Sequence, residues 1–276
     1  MTLSNTEKTL LLETVRDAAR REIMPRFRAL SDADISAKSA PDDLVTAADL
    51  AAEARITKEL RQAFPNALIF GEEAAAADPS LRDRLADAEI AIIIDPVDGT
   101  LNYAHGLALF GVILAVTHYG EPIYGLLYDP VMDDWIVASA DATTCYDTPT
   151  NSRALRLSKA VPANKAGGYI PLGFLPARHR PHIAKLWSDL GKINTLRCSC
   201  HEFRMLAQGH VDFVLSVRLT PWDHAAGALV VQQAGGVAKM LDGSVYSPTQ
   251  RDGYMLAARN ASAWSDIQQA LAFLLD

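Results

Sequence analysis

Cysteine is scarce: the 276 residues include only Cys145, Cys198 and Cys200. An odd, sparse set builds no disulfide framework and points to a reducing cytoplasm. Cys198-x-Cys200-His201 has no second ligand pair at zinc-finger spacing, so it reads as free thiols where a strand meets a helix. Basic residues are outnumbered, 26 against 33 acidic ones, leaving a formal net charge of −7. That excludes a nucleic-acid backbone as the main partner, because such binding needs a basic footprint. The seven histidines are scattered, and no His-Glu-x-x-His pair occurs. A Gly-x-x-x-x-Gly-Lys-Ser/Thr loop and a Gly-x-Ser-x-Gly elbow are also missing. Counted from Asp95, the third and fifth positions are Val97 and Gly99, which excludes an EF-hand loop. No apolar run is long enough to span a bilayer, and Met1 to Glu13 has no signal-peptide core, so no membrane association is expected.

What is present is an ordinary globular balance, 49% hydrophobic and 21% charged, with length for one or two domains. One stretch stands out: Ala91-Ile92-Ile93-Ile94-Asp95-Pro96-Val97-Asp98-Gly99-Thr100-Leu101-Asn102-Tyr103. The β-branched run reads as a strand buried on both faces. Two carboxylates three residues apart at its end are costly without a positive partner. A hard divalent cation, Mg²⁺, Mn²⁺ or Ca²⁺, suits such oxygens. Gly99 and Thr100 then offer N–H groups and a hydroxyl to a phosphate on that metal.

Taken in order, residues 5–30 carry apolar side chains at helical spacing (Leu11, Leu12, Val15, Ala18, Ala19, Ile23, Phe27), with Pro25 bending the last turns. Residues 31–43 read as a polar loop. Leu44 opens a helix running to Ala63, with Thr46 and Asp49 in a capping box. A short strand over 67–70 ends in Gly71-Glu72-Glu73. Strands over 110–117, 122–128 and 135–139 form an antiparallel meander. The composition shifts near 141–165, dividing the chain into halves, 1–145 and 146–276, of one catalytic unit. Beyond it the spacing predicts helices over 178–190, 200–209, 222–234 and 263–275, and strands over 193–197, 211–217, 237–241 and 254–258. The order suggests layered helices and sheets rather than a simple doubly wound sheet. Asp223, at the start of the 222–234 helix, reads as an N-cap when taken alone.

Set beside one another, Asp42-Asp43-Leu44-Val45-Thr46-Ala47-Ala48-Asp49, Gly71-Glu72-Glu73, the Asp95–Tyr103 stretch and Trp222-Asp223-His224-Ala225-Ala226-Gly227 resemble the inositol monophosphatase-like family of lithium-sensitive, metal-dependent phosphatases. The resemblance covers essentially the whole chain, and Lys38 stands where that family has a lysine. It implies an α+β fold, a layered α-β-α-β-α sandwich of the sugar-phosphatase type, and a homodimer. It implies Mg²⁺-dependent hydrolysis of a small phosphate monoester such as an inositol, sugar or histidinol phosphate, with Mn²⁺ as substitute and Li⁺ as inhibitor. By position, Glu72, Asp95 and the Val97 carbonyl would hold one metal. Asp95, Asp98 and Asp223 would hold a second. Glu72 and Thr100 would activate the attacking water, supported by Asp49, and the Gly99 and Thr100 N–H groups would bind phosphate.

Two departures bear on substrate. Ser216 stands where animal inositol monophosphatases have a glutamate that touches inositol hydroxyls, and Arg197-Cys198-Ser199-Cys200 replaces a small Gly-Ser/Thr-Ala-Ala turn. Both are expected in the sugar-recognition wall and not at the metal site. Arg197, Arg204 and Arg218 are candidates to read a more anionic substrate. A 3′-phosphoadenosine 5′-phosphate phosphatase and a low-activity regulatory or binding member of the family are the alternatives.

Overall fold

The computed structural model describes residues 1–157, 162–179, 181–182, 186 and 189–276. Its centre is strand β4 (Ala91–Asp98), every residue of which is buried. Ala91 and Ile93 pack on one side and Ile92 and Ile94 on the other, so an unbroken apolar run was needed. Around β4 lies a seven-stranded sheet in sequence order: β3 (Leu68–Gly71), β4, β5 (Gly111–His118), β6 (Glu121–Asp129), β7 (Asp134–Ser139), β8 (Ala142–Thr148) and β9 (Asn151–Ala154). Only the β3–β4 pair is parallel; the rest is a meander.

A second sheet, in order β11 (Ile193–Asn194), β10 (Gly168–Tyr169), β12 (Phe213–Ser216), β14 (Met255–Ala258) and β13 (Val237–Met240), comes from later residues. Helices α1 (Asn5–Ala18) and α2 (Ala47–Ala63) cover the outer face of the first sheet. Helices α5 (Ser199–Ala207) and α6 (Pro221–Gln233) fill the space between the sheets. Helix α7 (Ala261–Ala270) packs on the far side of the second. The five layers are the α-β-α-β-α sandwich expected. Buried between two sheets, α6 is apolar all round. Gly227 lets it approach α5, since a β-carbon there would lie 2.3 Å from the Phe203 ring.

Several local expectations need correction. The first helix ends at Ala18, continues as a π-turn over Ala19–Ile23 and finishes as a 3₁₀ turn at Met24–Arg26. Pro25 has no N–H to donate to the Arg21 carbonyl, which interrupts the regular ladder, and the Ile23 carbonyl accepts both from Phe27 N at 3.1 Å and from the Tyr103 hydroxyl at 2.7 Å. Residues 31–46 are not simply loop. β1 (Ile35–Ala37) pairs with β2 (Leu44–Thr46), so the helix begins at Ala47 and not at Leu44. Thr46 is its extended N-cap, in the expected capping box with Asp49. β8 and β9 lie in the stretch read only as a composition shift. They form the sheet edge, where half-exposed strands take polar residues and lose the apolar signal. The strand expected over 193–197 stops at Asn194, and that over 211–217 shortens to Phe213–Ser216. The helix expected over 178–190 falls partly outside the described residues. No helix among them is long and apolar enough to cross a membrane.

Candidate active site

In a regular strand, side chains three apart face opposite ways. Asp95 pairs with Ile113 and Asp98 with Gly111, three steps on β4 against two on β5. This bulge, at Pro96 with its missing N–H, reverses the alternation. Val97 accordingly packs with Ile92 and Ile94 rather than with Ile93. Asp98 returns to the side of Asp95, and both face the layer that holds α6.

Asp223 arrives from α6. It is the third helical residue rather than the N-cap, which is Thr220. The Thr220 hydroxyl donates to its Oδ2. Oxygens of Asp95, Asp98 and Asp223 all lie within 4.8 Å of one another, close enough to share a metal ion. Glu72 opens the short helix α3 (Glu72–Ala77) at the end of β3. Glu53 caps that helix, accepting from Glu73 N at 2.9 Å and Ala74 N at 2.8 Å. Its carboxyl would lie 2.2 Å from a β-carbon on residue 71, hence Gly71. Lys38 donates to Glu72 at 2.8 Å and to Glu73 at 2.6 Å.

Thr100 starts helix α4 (Thr100–Ala104) after Gly99, whose φ of 87° is left-handed and whose missing side chain makes room for Leu109 and Cys198. The Thr100 hydroxyl lies 3.0 Å from the Val97 carbonyl and 3.1 Å from Asp49 Oδ1, and donates to one at a time. The second Asp49 oxygen takes the Thr46 N–H at 2.8 Å.

Burial dominates the electrostatics. It pushes Asp98 up to about 8, Asp49 and Asp223 to about 6, and Asp95 well above the usual carboxylate range. Glu72 is raised for the same reason, although the charge of Lys38 opposes the shift. Burial also disfavours the Lys38 ammonium, but Glu72 and Glu73 outweigh it and hold the proton on. Five acidic groups (Asp49, Glu72, Asp95, Asp98, Asp223) thus meet one ammonium among the described residues. Oxygen-only donors crowded without compensation fit a hard divalent cation.

Glu72, Asp95, Asp98 and Asp223 of this cluster floor a cavity of about 620 Å³, which Gly99, Thr100, Ser216, Arg197, Arg218, Pro171 and Phe174 also line. Ser216, at the end of β12, is therefore on the wall as expected. Arg204 is not: it is buried elsewhere, paired with Asp134 and donating to the Leu127 carbonyl at 2.8 Å. The Arg197–Cys200 turn, expected to stay clear of the candidate metal carboxylates, reaches one of them. Asp98 accepts from Cys198 Sγ at 3.0 Å, from Ser199 N at 3.1 Å and from Cys200 N at 2.5 Å. This support was missed. Two cysteines one residue apart were its only trace in the sequence, and they are free thiols as expected. Glu53 and Thr220 were also missed, the first an unremarkable helix residue and the second a loop residue before the 222–234 helix, until the fold sets each against its partner.

Comparison with known proteins agrees with this architecture. Residues 6–273 match the model of the "Inositol monophosphatase family". The chain is 31% identical over 236 residues to "Inositol monophosphatase 2" of Solanum lycopersicum, covering 79% of this chain and 82% of that one. It is 29% identical over 210 residues to the "Fructose-1,6-bisphosphatase/inositol-1-monophosphatase" of Thermotoga maritima, covering 76% of each. The solved structure of a Thermotoga maritima IMPase superposes with a TM-score of 0.80 at 21% identity, over 98% of this chain and 99% of that one. At that identity the likeness speaks for the fold.

Proposed function

This chain belongs to the inositol monophosphatase family, and from that premise we propose that it hydrolyses a small phosphate monoester with Mg²⁺ at Asp95, Asp98 and Asp223. As a member of the family it is a phosphoric monoester hydrolase. The observation that carries the reading is the convergence of those three carboxylates on the cavity floor. Glu72, Asp95 and the Val97 carbonyl would hold one cation, and Asp95, Asp98 and Asp223 another. When bound, such cations supply Lewis acidity to the attacking and leaving oxygens of an in-line displacement.

The chain's own groups do the rest. Glu72 and Thr100 orient the attacking water. As the Thr100 hydroxyl accepts a proton from the water, it passes its own proton to Asp49 Oδ1, 3.1 Å away, so Thr100 stays neutral and Asp49 ends protonated. Lys38 favours the charged form of Glu72 against the effect of burial and fixes its position. Gly99 and Thr100 N–H groups receive the phosphate, and Ser216 faces the rest of the substrate. We extend the reading to Mn²⁺ as a substitute metal, Li⁺ as an inhibitor and a homodimer in the cytoplasm. The net charge of −7 supports a small-molecule substrate over nucleic acid.

The test is phosphate release from a panel of inositol, sugar, histidinol and adenosine phosphates, with and without Mg²⁺, in native protein and Asp98→Asn. Release that needs Mg²⁺ and is lost in the variant is expected. Tight metal binding without release from any monoester would overturn the reading in favour of a regulatory member. Release that survives Asp98→Asn would overturn the metal assignment.

A further inference from the structure

The cavity lining also carries two arginines, Arg197 and Arg218, that the proposed hydrolysis leaves unused. Arg218 lies two residues beyond the end of β12 and stacks on Phe174, its guanidinium carbon 4.3 Å from the ring centroid. Both line the cavity with Asp95, Asp98 and Asp223. Among the described residues the ion pairs of arginine do not include Arg218. Stacking engages the face of a guanidinium and leaves its fork of N–H donors free at the edge.

On this rim Arg197 is paired with Asp42 at 2.9 Å. The hydrogen bond from Arg197 first, and the charge of Arg218 as a smaller contribution, hold the Asp42 carboxyl below its ordinary range. Asp42 is engaged by Arg197, and Asp43, which also lines the cavity, accepts from Ser39 N at 3.3 Å, so among the described residues neither carboxylate takes Arg218 into an ion pair. The Arg197 backbone is also unusual, with φ at 52°, a left-handed conformation that a β-carbon disfavours. The surrounding chain enforces it. Glu202 accepts from Leu196 N at 2.7 Å and from the Thr195 hydroxyl at 3.1 Å. Asn102 Nδ2 donates to the Leu196 carbonyl at 2.8 Å. These contacts fix the direction in which the Arg197 side chain leaves the backbone.

We propose that Arg218, backed by Arg197, reads a second anionic group on the substrate. The preferred substrate is then a small phosphate monoester that carries a further phosphate or carboxylate. This rests on the phosphatase reading above and narrows it. The planar fork of arginine matches the paired oxygens of either group. A neutral sugar would leave the free edge of Arg218 to water. The cavity volume of about 620 Å³ is ample for a doubly charged sugar derivative.

A matched series tests this: glucose 1-phosphate, glucuronic acid 1-phosphate and glucose 1,6-bisphosphate. They share the ester at C1 and differ in charge at C6. Release of the C1 phosphate is followed with Mg²⁺. Binding is followed by calorimetry with Ca²⁺ in place of Mg²⁺. Native protein is compared with Arg218→Gln, Arg218→Lys and Phe174→Leu. The charged members should exceed glucose 1-phosphate in kcat/KM by roughly ten- to a hundredfold, the range of a charge-assisted hydrogen bond. In Arg218→Gln that ratio should fall towards one. Arg218→Lys should restore part of it, and Phe174→Leu should lower it less.

Preference for the bisphosphate alone assigns the rim to phosphate, and equal preference for the uronic acid assigns it to either oxyanion. No preference in native protein, or a preference that Arg218→Gln leaves intact, overturns the proposal. If no member is hydrolysed, the phosphatase reading fails, and the calorimetric ratio still decides the subsite. Should Arg218→Gln fail to fold, as judged by its circular dichroism, the Lys and Phe174 variants decide alone.

Discussion

The floor of the cavity holds Asp95, Asp98, Asp223 and Glu72 at the ends of buried strands and helices, whereas the rim carries Arg197 and Arg218 on exposed connecting segments. On the floor each carboxylate has fixed donors: Val97 N for Asp95, Cys198 to Cys200 for Asp98, Thr220 for Asp223 and Lys38 for Glu72. The rim has a single exposed ion pair and one stacked ring. The floor therefore concentrates uncompensated charge in a low-dielectric place, where each change is felt strongly. The rim is solvated, and changes there should alter substrate preference more than stability. The difference teaches where chemistry and specificity separate in this molecule.

The largest effect should come from Asp95→Asn, which strikes the floor at the residue shared by both proposed metals. Phosphate release should fall by about a thousandfold or more, beyond the loss from a single transition-state donor. The same change removes one of several crowded carboxylates, so the metal-free variant should melt above the metal-free native protein. Mg²⁺ should raise the melting temperature of the native protein by selective binding to the folded state and do so much less for the variant. A variant that melts lower without metal, or keeps its Mg²⁺ response, would break the account of the floor.

Cys198→Ala tests the boundary between the two regions, because its thiol donates to Asp98 while its backbone belongs to the wall. Loss of such a ligand-orienting contact should reduce activity by roughly 10- to 100-fold. Cys198→Ser, which keeps a donor, should recover most of it. Equal activity in all three proteins would return the Cys198 turn to the rim. The smallest effect should be that of Asp42→Asn on the rim. Its exposed pair with Arg197 predicts no measurable shift of the midpoint in a denaturant titration. A measurable loss would mean that the rim is part of the structural core.

The floor was far more legible in the sequence than the rim, for reasons visible at particular residues. Asp95, Asp98, Gly99 and Thr100 are neighbours in the chain, and the buried run before them is unmistakable. Asp49 was legible through its capping box with Thr46. Ser216 and Arg218 carry no local signal of their own. Arg204 looked as available as Arg218, and only the fold shows it paired with Asp134 in the interior. The Arg197–Cys200 turn was read as wall alone for the same reason, since 100 residues separate Cys198 from its acceptor.

The sequence by itself determined the layered α+β class, the buried strand β4 and the set of acidic residues. Those depend on apolar periodicity and on residue chemistry, both of which are local. Only the tertiary structure decided that a bulge at Pro96 brings Asp95 and Asp98 to one side, that Asp223 enters from α6 to meet them, and that Glu53, Thr220 and Cys198 hold the arrangement. It also decided which two of the three arginines line the cavity. These are matters of strand phase and of contacts across long sequence separations. Their energies come from burial and hydrogen bonding between elements that have no contact until the chain has folded.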